Sequence, residues 1–329
     1  MKIAIIGSGS WGIALSIHLA KLGNEIKVWS YSEEEAELIN KYRRCKFLPE
    51  VTIPENVVCC LDYESVVWGS DLVLHVTPSK VVRSTVQEYK KYITSQPILM
   101  CSKGLEKDSL LTLTDVLKEE VPFAKIGVLS GPSHAEEVSR GVPTALVIAS
   151  EDESILKLVT DVFMNENLRI YSSTDLKGVD LGGALKNIIA FCAGIAAGIG
   201  LGDNSFAALI TRGLAEIQRL GVKMGGKLDS FYGLTGLGDL IVTCLSEHSR
   251  NRSAGLLIGK GNSLKYAQEK IGMTIESVDN IEVAKKLAEK YNVEMPIVNA
   301  VYEVLYNHLE PERAVNMLMT RTPKSEINF

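Results

Sequence analysis

The stretch Ile3-Ala4-Ile5-Ile6-Gly7-Ser8-Gly9-Ser10-Trp11-Gly12 decides how the chain begins to fold. Residues 3–6 form a short unbroken apolar run, the pattern of a parallel strand buried on both faces. A GxGxxG follows at once. An amphipathic helix is predicted over residues 13–22, stopped by Gly23-Asn24, and a second strand over residues 26–29 completes a βαβ unit. Each glycine answers a need there. Gly7 permits the tight turn, Gly9 lets the backbone approach a pyrophosphate, and Gly12 lets helix and strand pack closely. The helix N-terminus then offers free N–H groups and a positive dipole end to the phosphates. Glycines also simply make turns, but the strand–turn–helix–strand setting points to a dinucleotide.

Further strands are predicted over residues 71–76, 97–101, 125–129 and 144–149. The first three end in the turns Thr77-Pro78-Ser79, Ser102-Lys103-Gly104 and Ser130-Gly131-Pro132-Ser133. Ligands of an open α/β sheet lie at the carboxyl ends of its strands, so these turns are expected to converge on one cleft. Lys103, directly after a buried strand, is read as lying on the cleft floor rather than as a surface lysine.

The nature of the dinucleotide stays open. NAD-binding units usually place an acid at the end of the second strand, and NADP-binding ones often place an arginine nearby. Here the strand end reads Trp29-Ser30-Tyr31-Ser32-Glu33, with neither at the strand end. Tyr31 suits stacking on adenine, and the serines suit a ribose or a 2′-phosphate. Both NAD and NADP therefore stand.

After about residue 175 the strand pattern disappears. Helices are predicted over residues 181–200, 207–220, 264–271, 281–291 and 300–306. The expected organisation is α/β: an N-terminal Rossmann-type doubly wound sheet in residues 1–180, followed by an all-helical C-terminal domain in residues 181–329, with the ligand cleft between them. A length of 329 residues suits two domains. The apolar stretch from Ile188 to Leu201 is shorter than the roughly 18–20 residues of a membrane span, and reads as a helix buried on all sides.

Lys186 sits in that apolar helix. A buried lysine is expensive unless something uses it, and burial suits an acid/base that exchanges a proton near neutrality. The bland alternative is a lysine that snorkels to the helix edge. Gly233-Leu234-Thr235-Gly236-Leu237-Gly238-Asp239 reads as a glycine-dense loop ending in a carboxylate, and Ser249-Arg250-Asn251 as a polar loop. Arg250 there can grip a phosphate bidentately, with neutral hydrogen bonds from Ser249 and Asn251.

Composition narrows the field. Apolar residues make up 46% and charged residues 23%, the balance of a packed globular protein. A net charge of -5, with 35 basic residues dispersed along the chain, argues against nucleic acid or an anionic membrane as partner. Cys45, Cys59, Cys60, Cys101, Cys192 and Cys244 show no CxxC and no metal-ligand spacing. They read as reduced thiols in a reducing cytoplasm, and no metal is expected. The apolar N-terminus is interrupted by Gly7, Ser8, Gly9 and Ser10, and reads as a strand and turn rather than a signal peptide.

Six motifs in this order carry a family resemblance: residues 7–12, Ser102-Lys103-Gly104-Leu105-Glu106, residues 130–133, Leu185-Lys186-Asn187-Ile188, residues 233–239 and residues 249–251. Together they resemble bacterial NAD(P)-dependent glycerol-3-phosphate dehydrogenase, from residue 3 to about 318. The resemblance implies contacts to the dinucleotide from Ser10, Trp11, Tyr31, Lys103, Ala135, Arg250, Thr274 and Glu276. It implies substrate contacts from Lys103, Gly131, Ser133, Asp239, Ser249, Arg250 and Asn251, and makes Lys186 the proton acceptor. Tyr31 departs from the basic residue that relatives often carry. The implied activity interconverts sn-glycerol 3-phosphate and dihydroxyacetone phosphate, feeds glycerophospholipid synthesis, and allows a homodimer. Asp239 either orients Lys186 or holds a substrate hydroxyl. Two rivals are a hydroxy-acid dehydrogenase, whose carboxylate Arg250 also suits, and a dinucleotide sensor without turnover, which has no use for a buried Lys186.

Overall fold

The computed structural model describes residues 1–323, 325 and 326. Among these, eight strands form one sheet: β1 (Lys2–Ile6), β2 (Glu25–Trp29), β3 (Val57–Cys60), β4 (Leu72–His75), β5 (Ile98–Met100), β6 (Ile126–Ser130), β7 (Thr144–Ser150) and β8 (Leu168–Ser173). Their order is β3-β2-β1-β4-β5-β6-β7-β8. The first six follow the dinucleotide-binding order, whose strand sequence reverses between β1 and β4. All neighbours are parallel except β6 and β7. Strands near the middle are buried on both faces, which is why β1, β4 and β6 read as unbroken apolar runs.

All six strands expected from sequence are present, and two more extend the sheet. These are β3 and β8, at its edges, where one face meets solvent. β8 alternates buried and exposed residues, and Val58 of β3 is 46% exposed. β8 presents no continuous apolar run, and that is why it does not stand out in the sequence; β3, Val57-Val58-Cys59-Cys60, is a continuous apolar run that the sequence reading passed over.

Contacts divide the chain into two compact units. One comprises Met1–Lys103 and Thr112–Asp180; its core gathers Ile3, Ile5, Leu15, Val28 and Leu74. The other comprises Gly104–Leu111 and the chain from Leu181 onward, and is helical; its core gathers Leu185, Ile188, Phe191, Ile217 and Phe231.

The apolar helix is longer than its sequence pattern indicates. It spans Leu176–Gly198, 23 residues, and is long and apolar enough to cross a membrane, but 83% of its apolar stretch is buried inside the protein. It is the core helix of the second unit. Its Gly194 and the facing Gly255 let it meet the Arg250–Gly259 helix backbone to backbone. A Cβ on Gly194 would stand 2.0 Å from the Arg252 carbonyl oxygen, and one on Gly255 2.0 Å from that of Phe191. That crossing fixes where Ser249, Arg250 and Asn251 stand relative to the helix that carries Lys186.

Candidate active site

The turn after β1 has the geometry to take a phosphate. Gly7 has φ +125°, and a Cβ there would stand 3.0 Å from the Val76 carbonyl oxygen, at the point where the strand order reverses. A Cβ on Gly12 would stand 2.0 Å from the Gly7 carbonyl oxygen, so the third glycine is demanded by packing. Gly9 differs: a Cβ there meets nothing within 4 Å. The protein itself leaves the space over Gly9 open. The Ser10–Lys21 helix begins there with no side-chain cap and no acid in its first turn, so its leading N–H groups are not neutralised locally. Trp11 Nε1 is buried with no hydrogen-bond partner among the described residues. Open space, uncapped amides and an orphaned donor fit an anionic dinucleotide.

The three turns at the carboxyl ends of β4, β5 and β6 converge. Ser102 Oγ donates to the Thr77 carbonyl at 2.6 Å, tying the first two turns together. Lys103 Nζ donates to the Gly131 carbonyl at 2.8 Å and to Ser133 Oγ at 3.1 Å, tying in the third. Lys103 thus lies in the cluster rather than free on the surface. Ala135, buried, opens the Ala135–Arg140 helix just beyond. Tyr31 is 82% exposed beyond the end of β2.

In the second unit, Lys186 is 5% exposed and does not snorkel. Its Nζ donates to Asp239 Oδ1 at 2.6 Å and to Thr243 Oγ1 at 2.6 Å. Thr243 in turn donates to the Asp239 carbonyl at 2.6 Å, one helical turn back. The ammonium is therefore held by a carboxylate and a hydroxyl on one face of the Asp239–Leu245 helix.

Two segments expected as loops are helical. Leu234–Gly238 forms a π-helical turn that runs straight into Asp239–Leu245, and a Cβ on Gly236 would stand 2.0 Å from the Phe231 carbonyl oxygen. The glycines there serve close packing, which the sequence pattern alone renders as loop. Ser249 caps the Arg250–Gly259 helix, its Oγ accepting from the Arg252 amide at 3.2 Å. Arg250, exposed, and Asn251 stand in its first turn.

Asn251 Nδ2 donates to Asn187 Oδ1 at 3.0 Å, next in sequence to Lys186, and its Oδ1 accepts from the Ser277 amide at 3.0 Å. That last bond reaches the start of the Glu276–Tyr291 helix, whose first residue is Glu276, with half-buried Thr274 just before it. Hydrogen bonds thus join Lys186 to Asp239 and Thr243, and Asn251 to Asn187 and to Ser277, the residue after Glu276.

Sequence reasoning missed Thr243, Asn187 and Glu35. Thr243 carried a faint signal, four residues after Asp239, visible only once that segment is known to be helical. Glu35 accepts hydrogen bonds from Ser8 and Ser30, contacts that only the fold creates. Burial pushes the Cys59 and Cys244 thiols up to about 12 and raises those of Cys45, Cys101 and Cys192. All six cysteines are free, and no group of three or more His, Cys, Asp or Glu among the described residues is placed to hold a metal.

Fold and site together define a dinucleotide-binding protein of the α/β class. Family models for NAD-dependent glycerol-3-phosphate dehydrogenase match residues 2–156 (N-terminus) and 175–316 (C-terminus). A glycerol-3-phosphate dehydrogenase (NAD(P)+) of Fusobacterium nucleatum is 46% identical over 332 residues, covering 99% of each chain. One from Clostridium perfringens is 46% identical over 327 residues, again covering 99% of each. The crystal structure of glycerol-3-phosphate dehydrogenase from Coxiella burnetii matches with a TM-score of 0.94 at 37% identity, covering 97% of this chain and 98% of that one. The chain belongs to the NAD-dependent glycerol-3-phosphate dehydrogenase family.

Proposed function

We propose that this chain interconverts sn-glycerol 3-phosphate and dihydroxyacetone phosphate, with hydride transfer between substrate C2 and the nicotinamide of NAD or NADP. The observation that carries the reading is the buried Lys186 ammonium, fixed by Asp239 and Thr243 inside a largely apolar helix. A structural lysine has no need of so costly a site.

The nicotinamide supplies the hydride chemistry when bound; the chain supplies position, charge and a proton. Residues 1–180 hold the dinucleotide through Gly7, Gly9, Ser10, Trp11, Gly12, Tyr31 and Ala135. Residues 181–329 carry the substrate and acid–base groups, with Thr274 and Glu276 reaching the dinucleotide. In the reducing direction Lys186 donates its proton to the C2 oxygen as negative charge develops, and Lys103 adds positive charge there. In the other direction Lys186 takes the proton back. Asp239 orients Lys186, a role supported by its direct 2.6 Å hydrogen bond. Arg250 holds the substrate phosphate and also reaches the dinucleotide. Ser249 and Asn251 add neutral hydrogen bonds to the phosphate, while Gly131 and Ser133 border the sugar carbons.

The product is the backbone of glycerophospholipids, and the chain feeds their synthesis. It works in the cytoplasm, a reading supported by six unpaired thiols, and without nucleic acid, in keeping with its net charge of -5. A homodimer is the assembly that the family suggests. The test is a substrate panel with purified protein and reduced dinucleotide. Turnover of dihydroxyacetone phosphate above 2-oxo acids is expected. Faster turnover of a 2-oxo acid would reassign the substrate, and tight dinucleotide binding without any turnover would make the protein a sensor.

A further inference from the structure

The segment after β2 starts the Glu33–Tyr42 helix with Ser32-Glu33-Glu34-Glu35, a capping-box pattern. In such a box the third helical residue turns its carboxylate back to the cap residue's own amide. Only half of the box forms here. Ser32 Oγ accepts from the Glu35 amide at 3.3 Å, but the Ser32 amide donates to Ser30 Oγ at 3.2 Å instead. The Glu35 carboxylate is thereby freed from capping. It reaches across to Ser8, inside the GxGxxG turn, and to Ser30, 3.1 Å away at the end of β2. Ser8 and Ser30 also lie 2.8 Å from each other.

Both serine contacts fall on Oε2. Among the described residues no hydrogen bond engages Oε1 and no ion pair includes Glu35. A half-buried carboxylate with one unused oxygen is thus fixed between the phosphate-binding turn and the end of the second strand. It lies about 20 residues past the glycines, the spacing at which dinucleotide folds carry the acid that binds ribose hydroxyls.

We infer that Glu35 is the ribose-recognising acid of this chain, and that it makes the protein select NADH over NADPH. The inference rests on the dinucleotide reading above. Oε1 accepts a ribose hydroxyl of the adenosine half, with Oε2 held in place by Ser8 and Ser30. A 2′-phosphate, carrying about -1.5 to -2 charge near neutrality, would face this carboxylate with no cation paired to it. Tyr31, 82% exposed, offers a ring face there and no charge.

The experiment is calorimetric titration of the whole protein with NADH and with NADPH, on the wild type and on Glu35→Gln, which keeps the shape and removes the charge. The wild type is expected to bind NADH at least about 10-fold more tightly, and the variant to narrow that ratio by about 10-fold, chiefly by tightening NADPH. A wild type that prefers NADPH, or a ratio unmoved in the variant, overturns the assignment of Glu35 while leaving the dinucleotide reading intact. Titration of the wild type alone with 5′-AMP and 2′,5′-ADP gives a check independent of any variant. Weaker binding of 2′,5′-ADP supports the inference, and tighter binding overturns it. Binding of neither dinucleotide would overturn the dinucleotide reading itself.

Discussion

Lys186 Nζ lies 2.6 Å from Asp239 Oδ1, with the lysine 5% and the aspartate 1% exposed. So buried a pair is weak evidence of stability for its own sake, because desolvation offsets most of the attraction. In the proposed reaction its value lies in holding a proton donor at a fixed place. Lys186→Ala is expected to lower kcat by at least about 100-fold, with dinucleotide affinity unchanged, because a positioned acid–base group contributes on that order. Asp239→Asn leaves the ammonium unbalanced. It is expected to cost about 3 kcal/mol of stability and to lower kcat, read by thermal unfolding and steady-state kinetics. Thr243→Val removes one acceptor from Lys186 and should lower kcat less. A near-wild-type rate in Lys186→Ala would contradict the assignment.

The glycines of the first turn separate packing from binding. Gly12→Ala drives a Cβ to within 2.0 Å of the Gly7 carbonyl oxygen, and is expected to cost upwards of about 3 kcal/mol or abolish folding. Gly9→Ala meets no protein atom within 4 Å, in a backbone conformation that alanine adopts freely. Its stability is expected to stay within about 1 kcal/mol of wild type. Its dinucleotide affinity should nonetheless fall at least about 10-fold, because the methyl group fills the phosphate space. Thermal unfolding and titration of the two variants check both halves.

Arg250 stands in the first turn of its helix, exposed. Arg250→Lys keeps the charge and loses the planar fork, and is expected to raise KM for dihydroxyacetone phosphate by about 10-fold or more. Its KM for unphosphorylated dihydroxyacetone should match wild type. Equal losses with both substrates would show that Arg250 does not hold the phosphate.

Much of this was legible in the sequence, and the reasons are local. The strands buried on both faces announced themselves because nothing polar interrupts residues 3–6 or 72–74. Lys186 was conspicuous because it is the one charged residue in the largely apolar run of residues 181–200. Where burial is one-sided the signal faded, as in β8. Glycines that pack against backbone, such as Gly236, look identical in sequence to glycines that make loops, so the segment around it was read as coil; Ser249-Arg250-Asn251 was read so because all three residues are polar. The contacts of Glu35 with Ser8, and of Asn251 with Asn187, join residues far apart in the chain and exist only once the fold is made.

Glu216 lies in the second unit, where its carboxylate accepts from the Ile297 and Val298 amides at the start of the Pro296–Tyr306 helix. Burial pushes its pKa up to about 7 from 4.5, against the lowering pull of those amides and of Arg219 and Arg321. The folded state therefore holds the proton more tightly than the unfolded one. This term leaves stability untouched below the ordinary carboxylate range and removes it progressively as pH rises through about 7. Glu216→Gln keeps an acceptor and does not titrate. The melting temperature of that variant relative to wild type is expected to rise by a few degrees between about pH 5 and pH 8. A constant difference across that range would contradict the shift.

The central claim is hydride transfer to C2 of dihydroxyacetone phosphate. Its most direct test is incubation of the protein with that substrate and NADH deuterated at C4 of the nicotinamide, with mass spectrometry and NMR of the product. The account predicts glycerol 3-phosphate carrying deuterium at C2, from one face of the nicotinamide only, and its loss in Lys186→Ala. Glycerol 3-phosphate without the label, or no product from a protein that binds the dinucleotide tightly, would contradict it.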